Sequence, residues 1–440
     1  MLLVRHFAAG ALSPKPRMKI LHLSKMDTGG GAADGFVRIH QALLGQGFES
    51  VAYVLKQKRR DVPMVAAKGL LSQWQKLVWG MGRVFAKVKR FGVKPVGVYD
   101  FDAEANFPAE PIIRHARALS AKWDLVLVHW SGGFVRPEAV REIAQALGAR
   151  VALWQVDMAH ATGGCHYPPP SCERYMQGCG RCPLIASNDE ADISSRQAER
   201  RRQTWEAIGA LVLAPSSWSA TNAMRSSILR RLPSRTFPIP LDLVALNAAR
   251  DQQAAREKLG LPNDRRILLV RALSPSIPYK SFGLFQAALA ELDAQGVRLH
   301  VLAIGETGYL PVGLKNITYT DLGPVRGDAS LAEVYRASDF FVSCSIQDAG
   351  PMMIGEAMAC GRPSVAYPIG MAPDLMTHGK NGFLVEPVGD VSGLAAAIRN
   401  FAEMPKEELE AQWKNAAEDA ERLFSGARFT LKIGEAIASA

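Results

Sequence analysis

Short, strongly apolar runs alternate with helix-like stretches along this chain, and the pattern begins again in its second half. The first series of runs lies within residues 18–240 and the second within residues 241–425. Strands separated by helices of this length pair in parallel through right-handed crossovers. The sequence therefore predicts an α/β protein with two Rossmann-like, doubly wound domains that face a cleft.

The ends of the chain and one internal segment fall outside this pattern. Residues 1–17 are Pro-containing and broken by charges, which predicts a disordered leader before the first strand. Residues 160–190 are rich in Cys and predict an insertion in the amino-terminal domain. Residues 426–440 predict a final helix that packs back on the amino-terminal domain. A length of 440 residues suits two domains.

The charge of the chain favours anionic partners without choosing among them. The formal net charge is +10, and the pI is near 9.3. Basic runs interleaved with aromatic residues are missing from the sequence, so nucleic acid is not expected as a partner. No apolar run reaches the length of about 18 residues that spans a bilayer, so no spanning helix is expected. The sequence has six cysteines and no export signal, which favours free thiols or a metal over disulfides and predicts a cytoplasmic protein.

The segment 69–92 has apolar residues at helical spacing together with several Lys and Arg residues. Such a basic, Trp-bearing amphipathic helix is typical of a peripheral contact with a membrane surface. The competing interpretation places its apolar face on the core of the domain, as in any amphipathic helix. Gly80 and Gly82 weaken helical continuity and could divide the segment into two short helices.

Two acidic residues in the second half are the best candidates for a chemical role. Asp348 and Glu356 lie across a loop and the start of a predicted helix, where carboxylates could hold hydroxyl groups of a sugar and a ribose. The backbone amides around Gly350, Pro351 and Met352 precede that helix and suit polar or anionic ligand atoms. The alternative is a loop and core helix with incidental acids.

A Gly-rich turn joins the first predicted strand to the first predicted helix. It contains Gly29, Gly30 and Gly31, which would let the backbone approach a ligand closely at a helix start. We expect this turn to bind phosphate or sugar oxygens.

Four cysteines are concentrated in the predicted insertion. Cys165, Cys172, Cys179 and Cys182 have the ligand count of a structural zinc site, although only the last two have the usual Cys-x-x-Cys spacing. The sequence leaves two interpretations open, a structural zinc ion or a cluster of reduced thiols that stabilises a loop.

The segment from Asp348 through Glu356 and the following AMACG resembles the acidic-pair signature of retaining glycosyltransferase family four. Asp348 stands where the family usually has glutamate. The resemblance implies the GT-B fold, a nucleotide-diphosphate sugar donor bound mainly by the carboxyl-terminal domain, and no metal cofactor for catalysis. It also implies that Lys280 and Arg271 neutralise the leaving diphosphate, that Glu356 binds the ribose, and that Asp348 binds the donor sugar.

Two motifs in the first half, HWSGGF at 129–134 and TGGCHY at 162–167, resemble a bacterial exopolysaccharide and colanic-acid subgroup. The subgroup has His-Asp-Met-Trp between them, whereas this chain has Val156 before Asp157. A histidine beside the reacting centre is thereby lost, and His160, His166 or Asp157 could take its role. Ile239 likewise replaces the asparagine that is usual before the interdomain crossing.

The two resemblances imply a glycosyltransferase that acts on a glycan or lipid-linked acceptor in bacterial surface-polysaccharide synthesis, at the inner face of the cytoplasmic membrane. Val156 supports an alternative, a catalytically silent GT-B protein that binds a nucleotide sugar and assists a partner transferase.

Overall fold

The structure is a computed structural model that describes residues 18–89, 101–247, 251–272, 275–350 and 352–438. For residues 82–89 it describes the helical backbone alone. The predicted leader at 1–17 lies outside the described residues, as does the end of the basic segment at 90–92.

The amino-terminal domain is built on a parallel sheet of seven strands in the order β3-β2-β1-β4-β5-β6-β7 among the described residues. Its central strand β4 reads LVLV and is buried along its whole length, as expected for a strand covered by helices on both faces. The strands are β1 (Lys19–Met26), β2 (Glu49–Lys56), β3 (Val65–Ala66), β4 (Leu125–Val128), β5 (Arg150–Trp154), β6 (Leu211–Ala214) and β7 (Ser234–Thr236).

Helices cover this sheet and carry the chain between its strands. The helix Pro137–Leu147 has a proline in its first turn. The next residue, Gly148, has a φ of 63° and forms a left-handed carboxyl cap. The helices are α1 (Gly31–Gly45), α2 (Gln73–Lys89), α3 (Glu110–Leu119), α4 (Pro137–Leu147), α5 (Ile193–Ala207) and α6 (Ser217–Arg225). Helix α2 is continuous, so Gly80 and Gly82 do not divide it.

The carboxyl-terminal domain has a six-stranded parallel sheet in the order β10-β9-β8-β11-β12-β13 within the described chain. All seven residues of β9 are buried, again typical of a strand covered on both faces. The strands are β8 (Arg266–Ala272), β9 (Leu299–Gly305), β10 (Ile317–Asp321), β11 (Phe340–Ser343), β12 (Ser364–Ala366) and β13 (Gly382–Leu384). Two doubly wound sheets confirm the predicted fold class.

Helices of the second half pack on this sheet, except the last, which returns to the first domain. The helices of this half are α7 (Leu243–Leu246), α8 (Gln252–Leu259), α9 (Phe282–Ala294), α10 (Asp328–Ala337), α11 (Met352–Ala359), α12 (Ala372–Leu375), α13 (Val391–Glu403), α14 (Lys406–Phe424) and α15 (Gly426–Ala438). In α15, Phe429 packs against Trp154 and Phe237 of the amino-terminal domain, with ring centroids 5.9 and 5.5 Å away.

Candidate active site

The predicted acidic residues and cations lie together at the carboxyl ends of the strands in the second sheet. Arg271 is in β8, and Lys280 ends a short 3₁₀ turn that follows this strand. Asp348 follows β11, and Glu356 is on the second turn of α11. Ligands of open α/β sheets bind at this edge, so the fold puts all four side chains where a ligand would be expected.

Glu356 is the centre of a buried ionic cluster. Its Oε1 accepts from Arg38 at 2.6 Å, and its Oε2 accepts from Arg271 and from the Tyr335 hydroxyl, the latter at 3.1 Å. Arg38 also pairs with Asp328 at 3.1 Å. Burial alone would raise the pKa of Glu356, but Arg271 and Arg38 lower it to about 2. This carboxylate is therefore ionised at all ordinary pH values.

Asp348 is paired with Lys280 through a short contact between its Oδ2 and the lysine Nζ. Its Oδ1 accepts from the backbone amide of Gly350 at 3.1 Å. The lysine side chain is 30% exposed, whereas that of Arg271 is 10% exposed. Arg271 is thus held by Glu356, and Lys280 is the more accessible of the two predicted cations.

The Gly-rich turn of the first domain approaches the start of α11 in the second. Gly29 and Gly30 have φ values of 103° and 133°, a region that favours glycine, and the Gly30 carbonyl accepts the first amide hydrogen bonds of α1. A Cβ on Gly31 would lie 4.0 Å from the Met352 side chain. Met352 is one of the three residues predicted at the start of α11, and Gly350 lies two positions before it. The third, Pro351, lies outside the described residues.

Arg38 is a member of this site that the sequence analysis missed. It lies on α1, and its partner Glu356 is 318 positions further along the chain. No local motif surrounds it, so only the docking of α1 against α11 brings the two side chains together. Gly35, on the same helix, lies close to both neighbours, since a Cβ there would be 3.0 Å from the Ile239 side chain and 3.7 Å from the Met352 sulfur at the start of α11.

The two departures from the family pattern lie at one apolar cluster. Ile239 is 2% exposed and belongs to a cluster that includes Trp154 and Phe237. Val156 and Met352 pack against the same cluster. Aliphatic side chains at positions 156 and 239 therefore extend an apolar contact between the domains where two polar residues would be expected.

Among the candidates to replace the missing histidine, His166 and Asp157 form a direct pair. His166 Nδ1 lies 2.7 Å from an Asp157 carboxylate oxygen, whose other oxygen accepts from the Ala159 amide. Burial would raise the pKa of Asp157, but His166 and this amide hold it below its usual range. His160 is instead buried and bonds to the His129 carbonyl through Nε2 at 2.7 Å.

A chain of hydrogen bonds joins three buried histidines behind the cleft. His40 Nε2 donates to the Pro63 carbonyl at 2.9 Å, and this bond fixes the direction of the remaining ones. The Ser50 hydroxyl then donates to His40, His22 donates to Ser50, and His129 donates to His22 at 2.9 Å. These directions hold for neutral rings, and burial keeps the rings neutral because it lowers the pKa of His22, His40 and His129.

Acidification is expected to destabilise the protein through this chain. Burial lowers the pKa of His22 and of His129 well below 6.5, whereas the unfolded chain binds protons near that value. Stability is thus present above pH 6.5 and is lost as the pH falls, by about 1.4 kcal/mol per pH unit for each such histidine. Denaturant melts between about pH 7 and pH 5.5 would measure this slope. The substitution His22→Gln should make the slope shallower, and an unchanged slope would contradict the assignment.

The four cysteines of the insertion line one small cavity of about 20 Å³. Within the described part of the chain, no group of three or more His, Cys, Asp or Glu side chains is placed to hold a metal ion. Structural zinc at these cysteines stays a prediction. In the absence of a metal ion, burial raises the pKa of the Cys165 thiol to about 12 and that of Cys179 to about 11. A bound zinc ion would deprotonate its thiol ligands, so these values are compatible with both interpretations.

Two facing, doubly wound domains with a cleft at the carboxyl ends of their strands define the GT-B fold. Solved structures agree: HepE from Anabaena in complex with UDP-glucose has a TM-score of 0.62 and 18% identity, covering 96% of this chain and 100% of that one. Sucrose-phosphate synthase from Thermosynechococcus elongatus has a TM-score of 0.61 and 17% identity, covering 95% and 98% of the two chains. At this level of identity the similarity concerns the fold alone.

The second domain also matches a family in sequence. Residues 264–404 match the family Glycosyl transferases group 1. The D-inositol 3-phosphate glycosyltransferase of Segniliparus rotundus is 31% identical over 150 residues, which cover 31% of this chain and 32% of the relative. The Mycobacterium tuberculosis enzyme is 33% identical over 146 residues, covering 31% and 29%. The match thus spans about a third of the length of these curated relatives.

Proposed function

We propose that this chain is a glycosyltransferase that transfers a sugar from a nucleotide-diphosphate sugar to a glycan or lipid-linked acceptor. We further propose that it belongs to retaining family four and acts in the synthesis of a bacterial cell-surface polysaccharide. The observation that carries the proposal is the pairing of Lys280 with Asp348, and of Arg271 with Glu356, at the carboxyl ends of β8 and β11. The group 1 match covers all four residues.

The geometry suggests a separate role in the reaction for each of these side chains. Transfer of the sugar leaves a nucleoside diphosphate, on which negative charge develops. Lys280, being partly exposed, can turn from Asp348 to the diphosphate and neutralise that charge without a metal ion. Asp348 is then free to accept hydrogen bonds from the donor sugar. The Gly30–Gly31 turn would close over the phosphates from the other domain.

Glu356 and Arg271 would act as one unit in this scheme. The arginine orients the carboxylate and keeps it ionised, and the one acceptor position that remains on Oε1 can accept a ribose hydroxyl. Arg38 contacts the same carboxylate from the first domain, so binding at Glu356 would respond to the closure of the two domains.

The activity can be tested by donor hydrolysis and thermal shift with UDP-, GDP- and ADP-sugars. A transferase should be stabilised by one nucleotide series and should slowly hydrolyse the matching donor. Stabilisation by a nucleotide sugar without turnover, even when acceptor extracts are supplied, would favour the alternative of a catalytically silent GT-B protein. No response to any nucleotide sugar would contradict both.

Helix α2 supports a membrane contact as part of this function. Trp74, Leu77, Val78 and Met81 follow helical spacing along one face and are 50–71% exposed. Trp79 instead points inward and packs against Phe107. The interpretation in which the apolar face covers the core is thus wrong for these four residues. Among the described helices, none is long and apolar enough to cross a bilayer.

We propose that this face of α2 inserts into the surface of an anionic membrane, which would place the protein at the inner face of the cytoplasmic membrane. Apolar side chains on a basic helix bind such surfaces by burial and by charge. The double substitution Leu77→Glu with Met81→Glu should weaken cosedimentation with phosphatidylglycerol vesicles roughly tenfold or more. Val244→Glu, at an equally apolar position that is 85% exposed, is the matched control and should have no effect. Equal binding by both variants would refute the contact.

A further inference from the structure

A second polar cluster lies in the amino-terminal domain, at the carboxyl ends of β1 and β4. The Asp102 carboxylate accepts from the Trp130 indole at 2.7 Å, from Lys25 Nζ at 3.1 Å, and from His166 Nε2 at 3.2 Å. The Lys25 ammonium also lies 4.4 Å from the centroid of the Trp130 ring. We call Lys25, Asp102, Trp130 and His166 the Asp102 cluster. The donor-side residues described above do not include any of them.

The contacts of His166 require a proton on each of its two ring nitrogens. Its Nε2 faces Asp102 and its Nδ1 faces Asp157 at 2.7 Å, and ionised carboxylates can only accept. Burial would lower the pKa of His166, but Asp157 and Asp102 raise it to about 10. Both ring nitrogens are occupied, so His166 positions Asp102 and has no hydrogen-bonding atom left for a ligand.

Two glycines of the family motifs provide the space in which Asp102 sits. A Cβ on Gly132 would lie 2.4 Å from the Asp102 carboxylate. A Cβ on Gly164 would lie 2.6 Å from the ring of Phe101, the preceding residue, and the Gly164 carbonyl accepts from the Asp102 amide at 2.7 Å. The SGG and TGG turns therefore hold this carboxylate in one place, which is the kind of support that a binding site needs.

The Asp102 cluster is accessible and lies beside the donor-side residues. The Asp102 and Lys25 side chains are 22% and 24% exposed. Tyr167, which follows His166, accepts from the Ala349 amide at 3.1 Å, and its ring lies 5.5 Å from that of Tyr279. Tyr279 and Ala349 are direct neighbours of Lys280 and Asp348, so the cluster faces the same cleft from the opposite domain.

We propose that Asp102, together with Lys25 and the indole of Trp130, binds the acceptor, and that the bound part of the acceptor is an uncharged sugar ring. The proposal rests on the glycosyltransferase function inferred above. Asp102 and Asp157 balance Lys25 and His166 in charge, which disfavours a phosphate group at this point. Asp102 Oδ1 has Lys25 as its only protein donor in the described structure and can accept a sugar hydroxyl. An aromatic ring beside a carboxylate offers both an apolar face and a hydrogen-bond acceptor to such a ring.

The test compares Asp102→Asn with the matched control Asp124→Asn. Asp124 precedes the same strand β4 at its opposite end and accepts from the Lys19 amide at 2.8 Å. With p-nitrophenyl glycosides as acceptors, Asp102→Asn should raise the acceptor KM about tenfold or more and leave donor hydrolysis within about twofold. His166→Gln should raise the same KM by a smaller factor. Equal losses of transfer and hydrolysis in Asp102→Asn would overturn the proposal.

A binding measurement separates this proposal from the activity itself. The indole N–H resonance of Trp130, assigned with a Trp130→Phe variant, should shift when the same glycosides are titrated into the wild-type chain, and should not shift in Asp102→Asn. Such a shift would support the site even if no donor were hydrolysed. Donor hydrolysis without any shift would overturn the site and leave the proposed function intact.

Discussion

Glu356→Gln is expected to abolish nucleotide binding and to lower the free energy of unfolding by about 3–5 kcal/mol. The carboxylate is 4% exposed and neutralises Arg38 and Arg271, whose side chains are 11% and 10% exposed. Arg38 Nη1 and Arg271 Nε already have no hydrogen-bond partner in the described structure. Removing the charge of Glu356 leaves Arg38 and Arg271 buried without enough negative charge nearby to neutralise them. An unpaired buried charge is among the most costly changes in a protein interior.

The matched control is Asp339→Asn, which removes an equally buried carboxylate from the same domain. Asp339 is 2% exposed, pairs with Arg256 at 2.8 Å, and lies away from the cleft at the start of β11. Both variants should unfold at lower denaturant concentration, but only Glu356→Gln should lose UDP or GDP binding at a temperature where both remain folded. A Glu356→Gln protein as stable as the wild type would contradict the ionic cluster, and one that retains full nucleotide affinity would contradict the ribose role.

Lys280→Ala is expected to reduce turnover by about 10²–10³ and to lower stability by less than Glu356→Gln does. Lys280 is 30% exposed, but its partner Asp348 is 11% exposed and would lose its cation, at a cost of about 1–3 kcal/mol. Its proposed contact with the diphosphate strengthens as the sugar leaves, and the loss of one such charge-stabilising group typically costs about 3–4 kcal/mol of activation free energy. Steady-state kinetics with the donor identified by screening would measure the effect.

Lys258→Ala serves as the control for Lys280. Lys258 is on α8 of the same domain and pairs with Glu333 at 2.7 Å, but it is 68% exposed and lies outside the cleft. It should leave turnover unchanged. If Lys280→Ala weakened UDP binding and left kcat intact, the lysine would contribute to ground-state binding only, and the charge on the leaving group would have to be stabilised elsewhere.

The sequence predicts those strands whose apolar pattern lies within one short segment of the chain. The long apolar runs of β1, β4, β8 and β9 are strands because each is a continuous buried segment between helical stretches. The strands β3, β7 and β13 have no comparable apolar run, since they have only two or three residues and lie at the sheet edges, where pairing depends on a neighbouring strand.

The same distinction applies to the candidate site. Lys280, Asp348 and Glu356 could be selected because each lies in a motif whose residues are close in sequence. Arg38 and Asp102 could not, since Arg38 meets Glu356 from 318 positions away and Asp102 meets His166 from 64 positions away. Neither position has a pattern around it that distinguishes an ion-paired side chain from a solvated one.

The sequence by itself determined the two doubly wound domains and selected Lys280, Asp348 and Glu356 as candidates, because strand periodicity and short motifs are properties of local segments. The tertiary structure alone decided that Arg271 is bound to Glu356, that Val156 and Ile239 share an apolar cluster, and that the apolar side chains at positions 74, 77, 78 and 81 of α2 are exposed. Those facts depend on which surfaces meet when the domains and helices pack, and packing between distant segments leaves no local pattern in a single chain.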